Sequence, residues 1–263
     1  MTNGKRFLAD TALALSRFAM RTSRRLGYYA TRDQVYAIRH EHLRRILSRL
    51  RINCVLDVGA HQGDFAVGLR EAAYEGDIIS FEPVAENFHA LERRRGSDPR
   101  WRVHRLALGS QRGSADIRVF QGSTFHSLLD ASDYGRERFP GRLEVQRTEA
   151  VPIERLEDIL DGLIAHVDDP RIFLKIDTQG YDMEVIRGLG GAAARIAAVQ
   201  MEMTARPLYA DATNSLVTAL DELGELGFRL SGILPVCYES DGLSLVEFDC
   251  LMVGTRALVP PTG

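Results

Sequence analysis

Short apolar runs alternate with amphipathic stretches along most of the chain. Between Asp33 and Leu50, the residues Val35, Ile38, Leu43, Ile46, Leu47 and Leu50 recur at helical spacing with arginines between them, which predicts an amphipathic helix. Strands are then predicted at Cys54–Val58, Asp77–Phe81, Arg102–Ala107, Ile172–Ile176 and Ile196–Met201. Helices are predicted between and after them at Asp64–Ala73, Ala85–Arg95, Tyr181–Gly188 and Asn214–Leu226. Two further strands, Phe228–Leu234 and Leu243–Val253, follow with no helix between them.

Strands separated by helices build right-handed parallel crossovers, so the fold class is α/β, with a doubly wound, Rossmann-like sheet. The last two strands are joined by a turn around Ser240-Asp241-Gly242, too short for a crossover, and must run antiparallel. The expected architecture is therefore a mostly parallel seven-stranded sheet with one reversed strand near its edge. A helical arm at about 1–50 precedes the main domain at about 51–256. The segment from about Gln111 to Pro152 interrupts the alternation with a short strand (Ala115–Phe120), a polar Gly/Ser stretch and an arginine-rich loop. It lies where loops that hold substrates commonly sit.

Composition adds an asymmetry. Residues 1–51 hold twelve Lys/Arg and three Asp/Glu, whereas the rest holds 21 and 33, so a basic arm precedes an acidic body. The arm is a candidate for peripheral contact with anionic lipid, for pairing in a homodimer, or for folding back on the acidic body; no nucleic-acid partner is expected. The three cysteines, Cys54, Cys237 and Cys250, form no CxxC pair, and the apolar runs are too short for a leader peptide or a membrane span. A reduced, cytoplasmic protein is expected.

The chemistry gathers at the predicted strand ends, where a doubly wound sheet binds its ligands. Asp57-Val58-Gly59-Ala60-His61-Gln62-Gly63 follows the first strand. Gly59 permits a sharp turn, and Gly63 is expected to let a ligand approach the helix N-terminus. The spacing is GxxxG rather than the GxGxxG of dinucleotide sites, and Asp57 disfavours a pyrophosphate but suits an ammonium or sulfonium. Glu82 ends the second strand, 23 residues beyond Gly59, at the place of an acid that accepts from ribose hydroxyls. A cofactor containing a nucleoside is the reading these two features share.

DVGAHQG, SFEP, Ala107–Gly109 and LKIDTQGYDMEVIRG (Leu174–Gly188) succeed one another as in the FkbM family, which this sequence resembles over about 35–254. QMEM followed by Pro207–Tyr209, Gly227-Phe228 and a closing FDCLMVG extend the likeness. The resemblance implies a class I methyltransferase fold and S-adenosylmethionine-dependent O-methylation of a sugar, glycolipid or natural-product hydroxyl. It also implies Gly59 and Gly63 beside the methionine portion of the cofactor, with Glu82 on the ribose and Ala107 and Leu108 flanking the adenine. Asp57 would favour the positive end of the cofactor, and Asp177 would stand near the transferable methyl.

Asp177 and Glu202 end adjacent strands, and two such carboxylates are a candidate pair of magnesium ligands or, without metal, general bases. Asp177 as a helix cap and Glu202 as a partner of Arg206 are the alternatives. His126, in Gly122-Ser123-Thr124-Phe125-His126-Ser127, is a further candidate base or a solvated loop residue. Arg136, Arg138, Arg142 and Arg147 are candidates to grip an acidic acceptor. A nicotinamide-dependent oxidoreductase and a non-catalytic binding protein docking through the basic arm are the competing functions.

Overall fold

Strand β1 (Cys54–Val58) is buried at every position, as expected of a strand covered on both faces. It lies in the middle of a seven-stranded sheet with β2 (Asp77–Phe81), β3 (Trp101–His104), β7 (Ile172–Ile176), β8 (Ile196–Thr204), β9 (Phe228–Tyr238) and β10 (Leu245–Gly254), in the order β3-β2-β1-β7-β8-β10-β9. The computed structural model describes residues 41–212 and 216–258. The first five strands pair in parallel, whereas β10 runs antiparallel to both β8 and β9. The reversed strand is thus second from the edge, as the short β9–β10 turn requires.

Helices α1 (Asp64–Glu71), α2 (Ala85–Arg95), α4 (Leu156–Ile164), α5 (Asp182–Arg187) and α6 (Leu216–Glu225) follow or precede these strands. The largest core cluster joins Leu56, Leu174, Val199 and Cys250 of the sheet to Leu160 of α4, Ile186 of α5 and Leu223 of α6. The helix expected over Asp33–Leu50 is present at 41–49; the rest of the basic arm, and with it the expected lipid or homodimer contact, lies outside the described residues. None of the described helices is long and apolar enough to cross a membrane.

Two sequence expectations change. The strand predicted over Arg102–Ala107 is two strands, β3 and β4 (Ala107–Leu108), and β4 leaves the main sheet to pair with β6 (Val145–Glu154). The arginine-rich stretch is not all loop. After a short helix α3 (Asp133–Arg138), β6 pairs antiparallel with β5 (Gly113–Phe120) and closes a second sheet in the order β4-β6-β5. The first half of β6 carries exposed polar side chains, so its sequence shows no alternation; ladder hydrogen bonds to β5 make it a strand. Phe120, Phe125 and Leu143 of this insertion pack around Leu208 and Tyr209, which brings the insertion over the carboxyl end of β8.

Candidate active site

Asp57 stands one residue before the end of β1, between Ser80 on one neighbouring strand and Lys175 on the other. Both partners engage it: Ser80 Oγ donates to Oδ2 at 3.2 Å, and Lys175 Nζ lies 3.2 Å from Oδ1. Trp101 Nε1 donates to Ser80 Oγ at 3.0 Å and extends the chain. Asp57 is 0% exposed, so its positive partner comes from inside the sheet, in contrast to the expectation that it faces a ligand cation. Lys175 also donates to Gly59 O at 3.0 Å and lies 3.6 Å from Asp177 Oδ2. Burial alone would lower the affinity of this amine for its proton, but the two carboxylates outweigh burial and raise its pKa.

The two glycines are bare for packing reasons. Gly59 has φ +71°, and a Cβ there would lie 1.9 Å from Asp177 O, because the exits of β1 and β7 run against each other. Gly63 has φ +92°, and its Cβ would meet Leu91 Cδ1 at 2.8 Å and the Trp101 ring at 3.1 Å. The missing side chain of Gly63 therefore makes room for α2 and β3.

Glu82 ties two loops together. His61 N–H donates to Oε2 at 2.8 Å and Val84 N–H to Oε1 at 2.9 Å. Burial raises its pKa to about 7 despite these donors. The Asn87 side chain bonds to the same carboxylate, which leaves one further lone pair for a hydroxyl donor. Ala107 and Leu108 lie in β4 and are buried, Leu108 in the main core and Ala107 against Val84 and Ile153. Two buried polar atoms at the exits of β1 and β7 have no hydrogen-bond partner among the described residues, His61 Nε2 and Thr178 Oγ1.

Asp177 and Glu202 do come together, through Gln179. Its Nε2 donates to Asp177 Oδ1 and to Glu202 Oε2, both at 2.8 Å. An amide nitrogen thus sits between the carboxylates where a magnesium ion was expected, and among the described residues no group of three or more His, Cys, Asp or Glu could hold a metal. Gln179 has φ +55°, and its Oε1 lies 2.8 Å from Tyr209 Oη, whose hydroxyl also stands 2.9 Å from Phe125 O. Burial, then the nearby Asp177 and Glu247, raises the pKa of Glu202 well above the usual carboxylate range. Asp177 is no helix cap: Asp182 holds the turn before α5, accepting from Thr178 N at 3.3 Å and Gly180 N at 3.1 Å. Arg206 stacks over the Tyr134 ring at 4.0 Å.

His126 stands apart from this cluster in role. Its Nδ1 accepts from Phe120 N–H at 3.1 Å, which puts the ring proton on Nε2, and burial lowers its pKa to about 4. With its lone pair held by the backbone, the ring has nothing to offer a substrate proton. The loop arginines are engaged within the fold as well: Arg136 donates to Leu143 O, Arg138 bridges Tyr238 O and Glu239, Arg142 stacks on Phe125, and Arg147 pairs with Glu149. Lys175, Gln179, Asp182 and Tyr209 were within the quoted motifs LKIDTQGYD and Pro207–Tyr209, but only their spatial meeting reveals their roles.

Beyond β7 and β8 these residues border an open cleft, lined by Gln179, Asp182, Glu202, Tyr209 and Glu247 together with Met201 and Met203. Residues 57–230 match the Methyltransferase FkbM domain family. A curated relative, the AMB antimetabolite synthetase AmbE of Pseudomonas aeruginosa, is 28% identical over 57% of this chain, which spans only 8% of that protein. Among solved structures, an rRNA methylase from Streptococcus thermophilus is similar at TM-score 0.44 and 9% identity, over 82% of this chain and 95% of that one. The O-methyltransferase NcsB1 of neocarzinostatin biosynthesis, in complex with S-adenosyl-L-homocysteine and 1,4-dihydroxy-2-naphthoic acid, is similar at TM-score 0.39 and 13% identity, over 78% and 50% of the two chains. With a class I methyltransferase sheet carrying DVGAHQG, SFEP and KIDTQGY at its strand ends and with the domain match over residues 57–230, this chain belongs to the FkbM methyltransferase family.

Proposed function

We propose that the chain is an S-adenosylmethionine-dependent O-methyltransferase acting on a hydroxyl of a sugar, glycolipid or natural-product acceptor. The observation that carries this reading is the adjacency of two unlike sites across Asp177. On one side lie Glu82, the exits of β1 and β7, and the unpartnered His61 Nε2 and Thr178 Oγ1. On the other lies the acidic cleft, with Glu202 held by Gln179. The first side fits a nucleoside bearing a cation, because Glu82 retains acceptor capacity for ribose hydroxyls and Asp177 is 37% exposed beside it.

Bound there, S-adenosylmethionine supplies an electrophilic methyl group. The protein positions the acceptor oxygen and takes its proton. Glu202 is the proton acceptor in this reading: it faces the cleft near the end of β8, and burial among carboxylates raises its proton affinity. Gln179 holds one Glu202 oxygen and one Asp177 oxygen, leaving the second Glu202 oxygen for the acceptor. A magnesium ion has no part in this reading, because the amide nitrogen of Gln179 fills the position between the carboxylates.

Calorimetric titration with S-adenosylhomocysteine tests the cofactor assignment, and labelled methyl transfer to hydroxylated acceptors tests the reaction. Saturable binding, followed by transfer of a label that resists mild alkali and survives a chelator, is the expected result. Absence of S-adenosylhomocysteine binding sinks the reading, and an alkali-labile label points to a methyl ester instead.

A further inference from the structure

The cleft beyond β7 and β8 has a one-sided charge. Asp182, Glu202 and Glu247 contribute carboxyls to its wall, and none of its described lining residues is Lys or Arg. Two of the three are provided for: Asp182 by the Thr178 and Gly180 N–H groups, Glu202 by the Gln179 amide. Glu247 is different. It sits on β10 opposite Thr204, is 9% exposed, and its carboxyl makes no hydrogen bond or ion pair with any described residue. Its oxygens open onto the cleft, so the carboxyl is available to a ligand.

The nearest cations among the described residues are committed elsewhere. Arg138 pairs with Glu239 at 3.1 Å and donates to Tyr238 O at 2.6 Å, and Lys175 is held by Asp57 and Gly59 O. A phosphorylated or carboxylated acceptor would be repelled by this wall, and a neutral polyol donates a hydroxyl to Glu247 without compensating its charge. An ammonium group satisfies it with a charge-assisted hydrogen bond. Met201, Met203 and Ala212 supply apolar surface for the carbon skeleton that links amine to hydroxyl.

We propose that the acceptor is a hydroxylated amine, with amino sugars as its simplest representatives, and that Glu247 holds the protonated nitrogen while the hydroxyl is presented to Glu202. The inference rests on the methyltransferase reading above and narrows its substrate class. It also carries a proton linkage. Burial raises the pKa of Glu247 to about 7; Asp177 and Asp249 add to the rise and Arg138 opposes it, so near neutrality the carboxyl of the empty cleft is partly protonated. Docking of an ammonium expels that proton, and amine binding weakens as the pH falls below about 7.

The test uses the full chain saturated with S-adenosylhomocysteine at pH 7. The probes are 2-amino-2-deoxyglucose and 6-amino-6-deoxyglucose, compared with their N-acetyl forms and with glucose. At least one amino form should bind about tenfold or more tightly than its neutral counterparts, with proton release visible as a dependence of the binding heat on the buffer. Glu247→Gln should abolish that preference while leaving S-adenosylhomocysteine affinity as it was. Equal or weaker binding of both amino sugars, or no binding by either, overturns the proposal even though S-adenosylhomocysteine binds. Failure of S-adenosylhomocysteine itself to bind overturns the methyltransferase reading instead. A preference that persists in Glu247→Gln removes Glu247 as the amine's partner.

Discussion

Replacing Lys175 by methionine keeps most of the side-chain volume and deletes the ammonium. The ammonium lies 3.2 Å from Asp57 Oδ1 and 3.6 Å from Asp177 Oδ2. At an effective dielectric constant of about 20, each contact is worth roughly 5 kcal/mol of Coulomb attraction, much of it offset by the desolvation of a buried amine. The two carboxylates respond differently to the loss. Asp177 has 37% of its side chain exposed and turns to water, whereas Asp57 is 0% exposed and keeps only Ser80 Oγ. Removing one partner of such a pair costs about 3–5 kcal/mol, so Lys175→Met should lower the free energy of urea unfolding by that amount, through a lower midpoint at an unchanged m-value. Adding Asp57→Asn removes the orphaned charge, and the double variant should regain about 2 kcal/mol over Lys175→Met alone. The raised Lys175 pKa means that the pair contributes in full below the ordinary lysine value and fades only as alkali removes the proton, so neutral pH is the right place to measure. A loss under about 1 kcal/mol, or strict additivity of the two substitutions, would refute the claim that Asp57 depends on Lys175.

Glu82, Asp182 and Glu247 each have pKa values raised by burial to about 7, so the folded protein holds protons that the unfolded chain releases at lower pH. Stability should therefore fall as pH rises from about 4.5 towards 7, by up to roughly 1.4 kcal/mol per pH unit for each group; calorimetric melting at pH 5.5 and 8 reads this, and a higher Tm at pH 8 would contradict it. Gly63→Ala should destabilise by about 1–3 kcal/mol through the Leu91 and Trp101 contacts and the positive φ, yet leave S-adenosylhomocysteine affinity within about threefold. A tenfold loss of affinity in a folded Gly63→Ala protein would return this glycine to the ligand. Gln179→Ala removes the donor shared by Asp177 and Glu202 and the acceptor of Tyr209, with an expected cost of about 1–3 kcal/mol in urea unfolding and a larger fall in kcat than in cofactor affinity. Unchanged kcat would show that the bridge has no part in positioning the base.

The local pattern along the chain was enough for the elements that bury a continuous apolar run. β1 and β7 are five-residue stretches buried at every position, and their side chains can hardly go elsewhere. The reversed β10 was legible for a similarly local reason, the brevity of the turn before it. Glu82 and Asp177 could be placed because a strand end is a local feature, and the DVGAHQG, SFEP and KIDTQGY stretches lie on such ends. What escaped the sequence depends on partners far along the chain. β6 is a strand because β5 supplies its ladder, although much of its surface is polar and exposed. Gly59 and Gly63 also answer a packing demand the sequence does not show, since the atoms their side chains would strike belong to Asp177, Leu91 and Trp101.

The same distinction governs the site. Composition showed an acidic body, and the motifs named Asp57, Asp177 and Glu202, but charge in a sequence has no direction. Tertiary structure turned Asp57 inward to Lys175, set Gln179 between Asp177 and Glu202, and left Glu247 of the last strand facing a cleft without a partner. Hydrogen bonds and ion pairs act over a few ångströms and are indifferent to sequence separation. The sequence by itself therefore determined which chemical groups stand at the strand ends. Only the packed sheet decided which of them neutralise one another and which remain for a ligand.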